Sequence, residues 1–288
     1  MTSKKITPNF EESLPKEAAE LFDYFKKSPL LSNKHSSYFH SYTDIFSRFK
    51  GQTFTFVEIG VFRGGSLFMW RDYFGPNARI IGIDFNPEAL SLQDHGFEIH
   101  IGNQASPDFW REFFKQVGRV DVVLDDGGHT YEQQIKTVHY CLDHVNDNGV
   151  IVVEDTHTSY MRDYGYPSRY SFTEWTKAVL DGVNSRSVTL PQAKGVGYEA
   201  IYSMQVFDSV IAFYIDRSRA AKSFPISNNQ AGAAPEDFRF KDFEVPWLIP
   251  SSLQRFRFFR KLANSIAKRL SRFRLSRLRS FFESGLSR

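Results

Sequence analysis

Short apolar runs that end in glycine or an acid recur along the middle of this chain, and segments of helical pattern separate them. The runs are TFVEIGV (55–61), ARIIGID (78–84), FEIHIG (97–102), VDVVLDD (120–126) and GVIVVED (149–155). The intervening stretches 65–74, a short one from Pro87, 107–117 and 131–145 read as helices. Strands alternating with helices predict an α/β protein with a parallel, doubly wound sheet. VDVVL and VIVV are apolar without alternation, the pattern of strands covered on both faces. Such sheets bind ligands at the carboxyl ends of their strands, so the residues that close each run are the first candidates for chemistry.

The flanks differ from this middle. Residues 16–28 read as an amphipathic helix after Pro15, and the aromatic, polar stretch 34–49 ends in a second helix. Beyond 155, FTEWTKAVLDGVN (172–184) is helical, and 198–215 reads as a final hairpin turning at Phe207-Asp208. The expected organisation is an N-terminal helical segment (1–50), a main domain (51–222), an irregular linker (223–252) and a basic amphipathic helix (253–288). Charge divides along the same line. Residues 253–288 hold 11 Lys or Arg and one acid, a net +10, whereas the remainder carries −7. The acidic body offers no matching basic groove, which argues against a nucleic-acid partner. A single cysteine, Cys141, excludes an intramolecular disulfide and fits a reducing compartment. The N-terminus lacks the apolar core of a signal peptide and no run is long enough to span a bilayer, so a cytoplasmic location is expected.

Two clusters carry the chemistry. Asp125-Asp126-Gly127-Gly128-His129 follows one apolar run and Glu154-Asp155 closes the next. Carboxylates meeting at one point repel, and burying them requires protons or a cation. An all-oxygen donor set suits a hard ion such as Mg²⁺. Asp residues at a strand-to-helix turn also serve as plain helix caps, a reading weakened here by the second cluster. Upstream, EIGVFRGGS (58–66) supplies glycines for a tight turn at a helix N-terminus, and Asp84 closes the next strand, where an acid can hold both hydroxyls of a ribose. Together they predict a nucleoside-containing cofactor. Glu58 would repel a pyrophosphate but suits the amino-acid end of a cationic adenosyl sulfonium, which favours S-adenosylmethionine over a dinucleotide.

These segments, with GIDFNP (82–87), IGNQ (101–104), LDDGGHTYEQQI (124–135) and VVEDTHTSY (152–160), resemble class I S-adenosylmethionine-dependent O-methyltransferases. They are most similar to the metal-dependent macrolide sugar enzymes of the mycinamicin/tylosin type and to the cephalosporin-hydroxylase-like family. The resemblance covers about residues 34–215. It implies a Rossmann-like seven-strand sheet, Mg²⁺ ligated by Asp126, Glu154 and Asp155, and His129 as general base. It also implies cofactor contacts from Glu58, Gly60, Gly64, Ser66 and Asp84. Asn103 and Gln104 are placed near the adenine or the metal, although Asn103 departs from the Asp of many relatives. Asp125 either touches the cofactor or supports its loop.

The expected function is Mg²⁺-dependent methylation of a sugar or glycan hydroxyl, with a lipid-linked or cell-surface glycan as acceptor and a natural-product sugar the next choice. The alternatives are methylation of a non-sugar natural-product diol and a non-catalytic S-adenosylmethionine-binding protein. Hydroxylation has little support, since no clear two-histidine, one-carboxylate iron site is legible. His157 reads as an exposed loop histidine; Tyr160, Tyr164 and Tyr166 fall where a substrate lid would lie. The apolar positions of 253–282 recur at helical spacing among Arg and Lys, which suits the inner face of an anionic membrane, with docking onto a second copy the next choice.

Overall fold

The computed structural model describes residues 8–165, 168–186 and 198–228, with a few isolated positions beyond. Most of the expected linker and basic helix, 223–288, therefore lies outside the described residues, as does Tyr166. Seven strands form one sheet: β1 Phe54–Ile59, β2 Ala78–Asp84, β3 Glu98–Ile101, β4 Val120–Asp125, β5 Val145–Val153, β6 Ile201–Phe207 and β7 Val210–Ile215. Their spatial order is β3-β2-β1-β4-β5-β7-β6. The first five run parallel, while β7 pairs antiparallel with both β5 and β6. The sheet is thus mixed, and the expected hairpin supplies its antiparallel end. The order reverses between β1 and β4, which opens a crevice above their carboxyl ends.

Strand alternation divides the core into two halves. Phe56, Val122, Leu124, Val150 and Val152 face α2 (Lys16–Lys27), α3 (Tyr38–Phe46) and α4 (Gly65–Phe74). Val57, Ile59, Val123, Ile151 and Val153 face α5 (Pro107–Val117), α6 (Tyr131–Cys141) and α7 (Phe172–Asn184). A short α1, Pro8–Ser13, precedes α2. Much of the chain's aromatic content lies on the first face. Phe46 meets the rings of Trp70, Phe56 and Phe74 edge-on at 5.4, 6.0 and 6.0 Å, a favoured ring geometry.

The described residues up to Pro225 form one compact unit, in which the helices of the N-terminal segment pack against the sheet. Residues 142–145 leave the helix expected over 131–145. α6 stops at Cys141 because Val145 already pairs with Val120 in β5. Since Phe46 is fully buried among aromatic neighbours, Phe46→Ala should destabilise the fold by about 3–5 kcal/mol in urea unfolding. A loss below about 1 kcal/mol would show that α3 is dispensable to the core.

Candidate active site

The turn after β1 brings the two clusters together. Gly60 has φ 84°, and a side chain there would collide with the Asp126 carbonyl, so glycine lets the exits of β1 and β4 touch. Gly64 (φ 88°) starts α4. Across the turn, Asp84 accepts from the Phe62 amide at 3.2 Å and the Asn86 amide at 2.8 Å. Above these exits lies a cleft of about 1110 Å³. Gly60, Ser66, Asp84, Asn103 and Gln104 line one part of it, and Asp126, His129 and Asp155 line another.

Three residues expected at the cofactor are not on the cleft wall. Glu58 is fully buried beneath the turn, where Ser66 Oγ donates to it at 2.8 Å and Trp70 Nε1 at 3.3 Å. Gly64 packs against Leu92. Asp125 points into the opposite face of the sheet and supports the loop. It accepts from Gln104 Nε2 at 2.9 and 3.0 Å and from the Gly127 amide at 3.1 Å. Gln104 Oε1 in turn accepts from the Gly128 amide at 3.0 Å, which fixes the turn before His129.

The carboxylates are organised by residues that the motif reading missed. Lys34, delivered by the loop between α2 and α3, is buried with Nζ 2.7 Å from Asp126 Oδ2 and 3.0 Å from Glu154 Oε2. Tyr42 donates to the other Glu154 oxygen and Tyr38 to Asp155 Oδ1. The four-residue spacing of Tyr38 and Tyr42 on α3 puts both hydroxyls on one helix face, a signal present in the sequence, whereas Lys34 comes from a loop and leaves no such signal. Burial alone would depress the Lys34 ammonium, but Asp126 and Glu154 more than reverse this and hold it charged, well above the usual lysine value. Burial pushes the Glu58 carboxyl up to about 7, against the pull of Lys34.

His129 and Asp155 both have left-handed backbones, φ 58° and 54°, which turn their side chains toward each other. His129 Nε2 lies 3.4 Å from Asp155 Oδ2 and 4.0 Å from Asp126 Oδ1, close enough for the three groups to surround one ion. The carboxylate oxygens of Asp126 and Asp155, with His129 beside them, form a donor set that fits a divalent cation. His35 and His157 approach the same Asp155, each 3.9 Å from Oδ1, a grouping not legible in the sequence. His157 is half-buried and contacts Ser209 Oγ. The Tyr164 ring stands 6.2 Å from that of His129, and Tyr160 is exposed.

An open sheet with a glycine turn after β1, an acid ending β2 and a final antiparallel strand is the fold of class I methyltransferases. Residues 57–156 match a family described as "Methyltransferase domain". Two relatives are O-methyltransferases by name, and the name of the first includes a rhamnosyl group. One is the 8-demethyl-8-(2-methoxy-alpha-L-rhamnosyl)-tetracenomycin-C 3'-O-methyltransferase of Streptomyces olivaceus, 31% identical over 55% of this chain and 43% of its own length. The other is the mycinamicin VI 2''-O-methyltransferase of Micromonospora griseorubida, 26% identical over 67% of this chain and 54% of its own. The chain thus spans about half the length of these relatives. The structure is similar to the MycE methyltransferase solved with Mg, SAH and mycinamycin VI. The TM-score is 0.63 at 23% identity, covering 77% of this chain and 57% of that one.

The Glu58 carboxyl gives a pH test. An acid whose pKa rises from 4.5 to about 7 on folding holds its proton more tightly in the native state. Its contribution to stability is complete below 4.5 and is lost as pH climbs toward 7. Glu58→Gln lacks this loss, so between pH 4.5 and 7.5 its stability should gain on the wild type by on the order of 3 kcal/mol. Parallel pH profiles of the two proteins in chemical unfolding would refute the shift.

Proposed function

We propose that this chain transfers a methyl group from S-adenosylmethionine to a hydroxyl of a sugar ring, assisted by Mg²⁺. The carrying observation is that one cleft joins the Asp84 end, suited to a ribose, to the Asp126–His129–Asp155 end, suited to activating an oxygen. The names of the O-methyltransferase relatives support the acceptor class, a glycoside of a small natural product.

In this reading Asp84 holds the ribose hydroxyls, with both its oxygens kept in place by backbone amides. Ser66 and the turn at Gly60 border the other end of the donor. A sugar hydroxyl is a poor nucleophile at neutral pH, so it must lose its proton as the new C–O bond forms. His129 takes that proton at Nε2, and the imidazolium is stabilised by Asp155 at 3.4 Å. Mg²⁺ held by Asp126 and Asp155 would supply Lewis acidity toward the acceptor oxygen. Tyr164, whose ring stands 6.2 Å from that of His129, offers a ring face to a sugar.

His129→Ala should lower kcat by about 10²–10⁴ with S-adenosylmethionine affinity nearly unchanged, whereas Asp84→Ala should weaken that affinity tenfold or more, by roughly 1.4 kcal/mol. Calorimetric titration and detection of the methylated product on a panel of glycosides and diols check both. Tight cofactor binding without methyl release on any acceptor would favour a binding protein.

The basic stretch 253–288 supports a second reading of the acceptor, a lipid-linked glycan in place of a natural-product glycoside, reached by attachment to the inner face of an anionic membrane. Full-length chain should sediment with anionic liposomes and a chain ending at 252 should not. Equal binding by both rejects the attachment.

A further inference from the structure

The carboxylates expected to share one metal ion already share a cation of the chain's own. Lys34 Nζ lies between Asp126 Oδ2 at 2.7 Å and Glu154 Oε2 at 3.0 Å, with Glu58 Oε1 at 3.6 Å, and its side chain is 1% exposed. The Tyr42 hydroxyl takes the remaining Glu154 oxygen, and the Tyr42 ring lies 5.6 Å from Nζ. An ion shared by Asp126 and Glu154 would compete for the space that the ammonium fills, beside a charge of its own sign. The other oxygens, Asp126 Oδ1 and Asp155 Oδ2, lie on the His129 side, at the cleft.

We propose that Lys34 is the resident cation of the Asp126–Glu154 pair and a positioning residue for the ion site. It withholds Glu154 from a divalent ion, which is held by Asp126 and Asp155 with His129 beside them. Two carboxylates, with water and substrate completing the shell, are an ordinary arrangement for Mg²⁺. Glu154 then serves to anchor Lys34, and Lys34 serves to aim Asp126. The segment that delivers Lys34 is itself seated on the cofactor turn. Ser28 Oγ donates to the Gly65 carbonyl at 2.8 Å, and a side chain at Gly65 would strike the backbone of Leu30 and Leu31. Lys34 therefore ties the start of α4 to the exits of β4 and β5.

This inference rests on the metal-assisted reading, and its test reads ion affinity, not turnover. Mn²⁺, which gives a paramagnetic signal when free, is titrated into the full chain and its variants, with thermal unfolding as a check on folding. Asp155→Asn should weaken binding about tenfold or more, as loss of a ligand does. Lys34→Met should tighten it about tenfold, because Glu154 is released to the ion and a repelling charge is gone. The double variant Lys34→Met/Glu154→Gln is neutral at this pair, so it preserves the test where the single variant fails to fold. It should bind within about threefold of the wild type, the residual expected of a compensated pair.

A double variant at least tenfold weaker would mean that Glu154 is a ligand and overturns the proposal. So would a folded Lys34→Met protein with unchanged or weaker affinity, or a wild type that binds no Mn²⁺. The methyltransferase reading is judged apart from these outcomes, by titrating S-adenosylmethionine into protein held in chelator.

Discussion

Four carboxyl groups, Glu58, Asp126, Glu154 and Asp155, meet where β1, β4 and β5 end, and their mutual repulsion governs how the rest of the domain is arranged. Two of them, Glu58 and Glu154, are fully buried. A buried carboxylate without a partner is among the most destabilising features a fold can carry. The chain answers with one segment: Lys34, Tyr38 and Tyr42 all reach the cluster from the loop before α3 or from α3 itself. α3 can present those groups only if its opposite side packs firmly, and Phe39, Ile45 and Phe46 are buried in the aromatic face of the core. The N-terminal helices thus complete the site, which is why they share one compact unit with the sheet.

The same constraint couples the two ends of the cleft. Glu58 belongs to the strand that opens the glycine turn, yet it touches Lys34, which touches Asp126 and Glu154. Gly60 presses against the Asp126 carbonyl, so the turn and the β4 exit cannot move independently. From the far side, Gln104 clamps Asp125 and the Gly128 amide, and Trp110 Nε1 donates to the Gln104 carbonyl at 2.7 Å. His129 and Asp155 hold strained backbone conformations inside this frame, an arrangement that persists only where neighbours over-determine it. A site built this way is pre-organised, which is what positioning and proton transfer demand.

Much of this was legible because strands β1 to β5 announce themselves as apolar runs and their exits as acids. What escaped the sequence has specific physical causes. Lys34 pairs with residues 92 and 120 positions away, and no local pattern records a contact of that range. The end of α6 at Cys141 depends on Val145 finding Val120 across the sheet, again a tertiary choice overriding helical periodicity. The sheet's antiparallel end came through as a hairpin but not as a partner of β5, since pairing order is not written in either strand.

The inward turn of Glu58 and Asp125, by contrast, follows from a rule available in the sequence. Successive side chains of a strand alternate between faces. In β1, Phe56 faces the N-terminal helices and Val57 the other side, so Glu58 must share the face of Phe56. In β4, Val122 and Leu124 share that face, which assigns Asp126 to it and Asp125 to the opposite one, where Gln104 waits. In β5, Val150 and Val152 assign Glu154 to the same face again. Three acids of one parity, Glu58, Asp126 and Glu154, therefore converge on a single side, and they are the three that surround Lys34. Asp155 lies past the end of β5, has a left-handed backbone and lines the cleft. Parity thus gathers the acids bound to the chain's own cation, while Asp155 stands apart from them, beside His129.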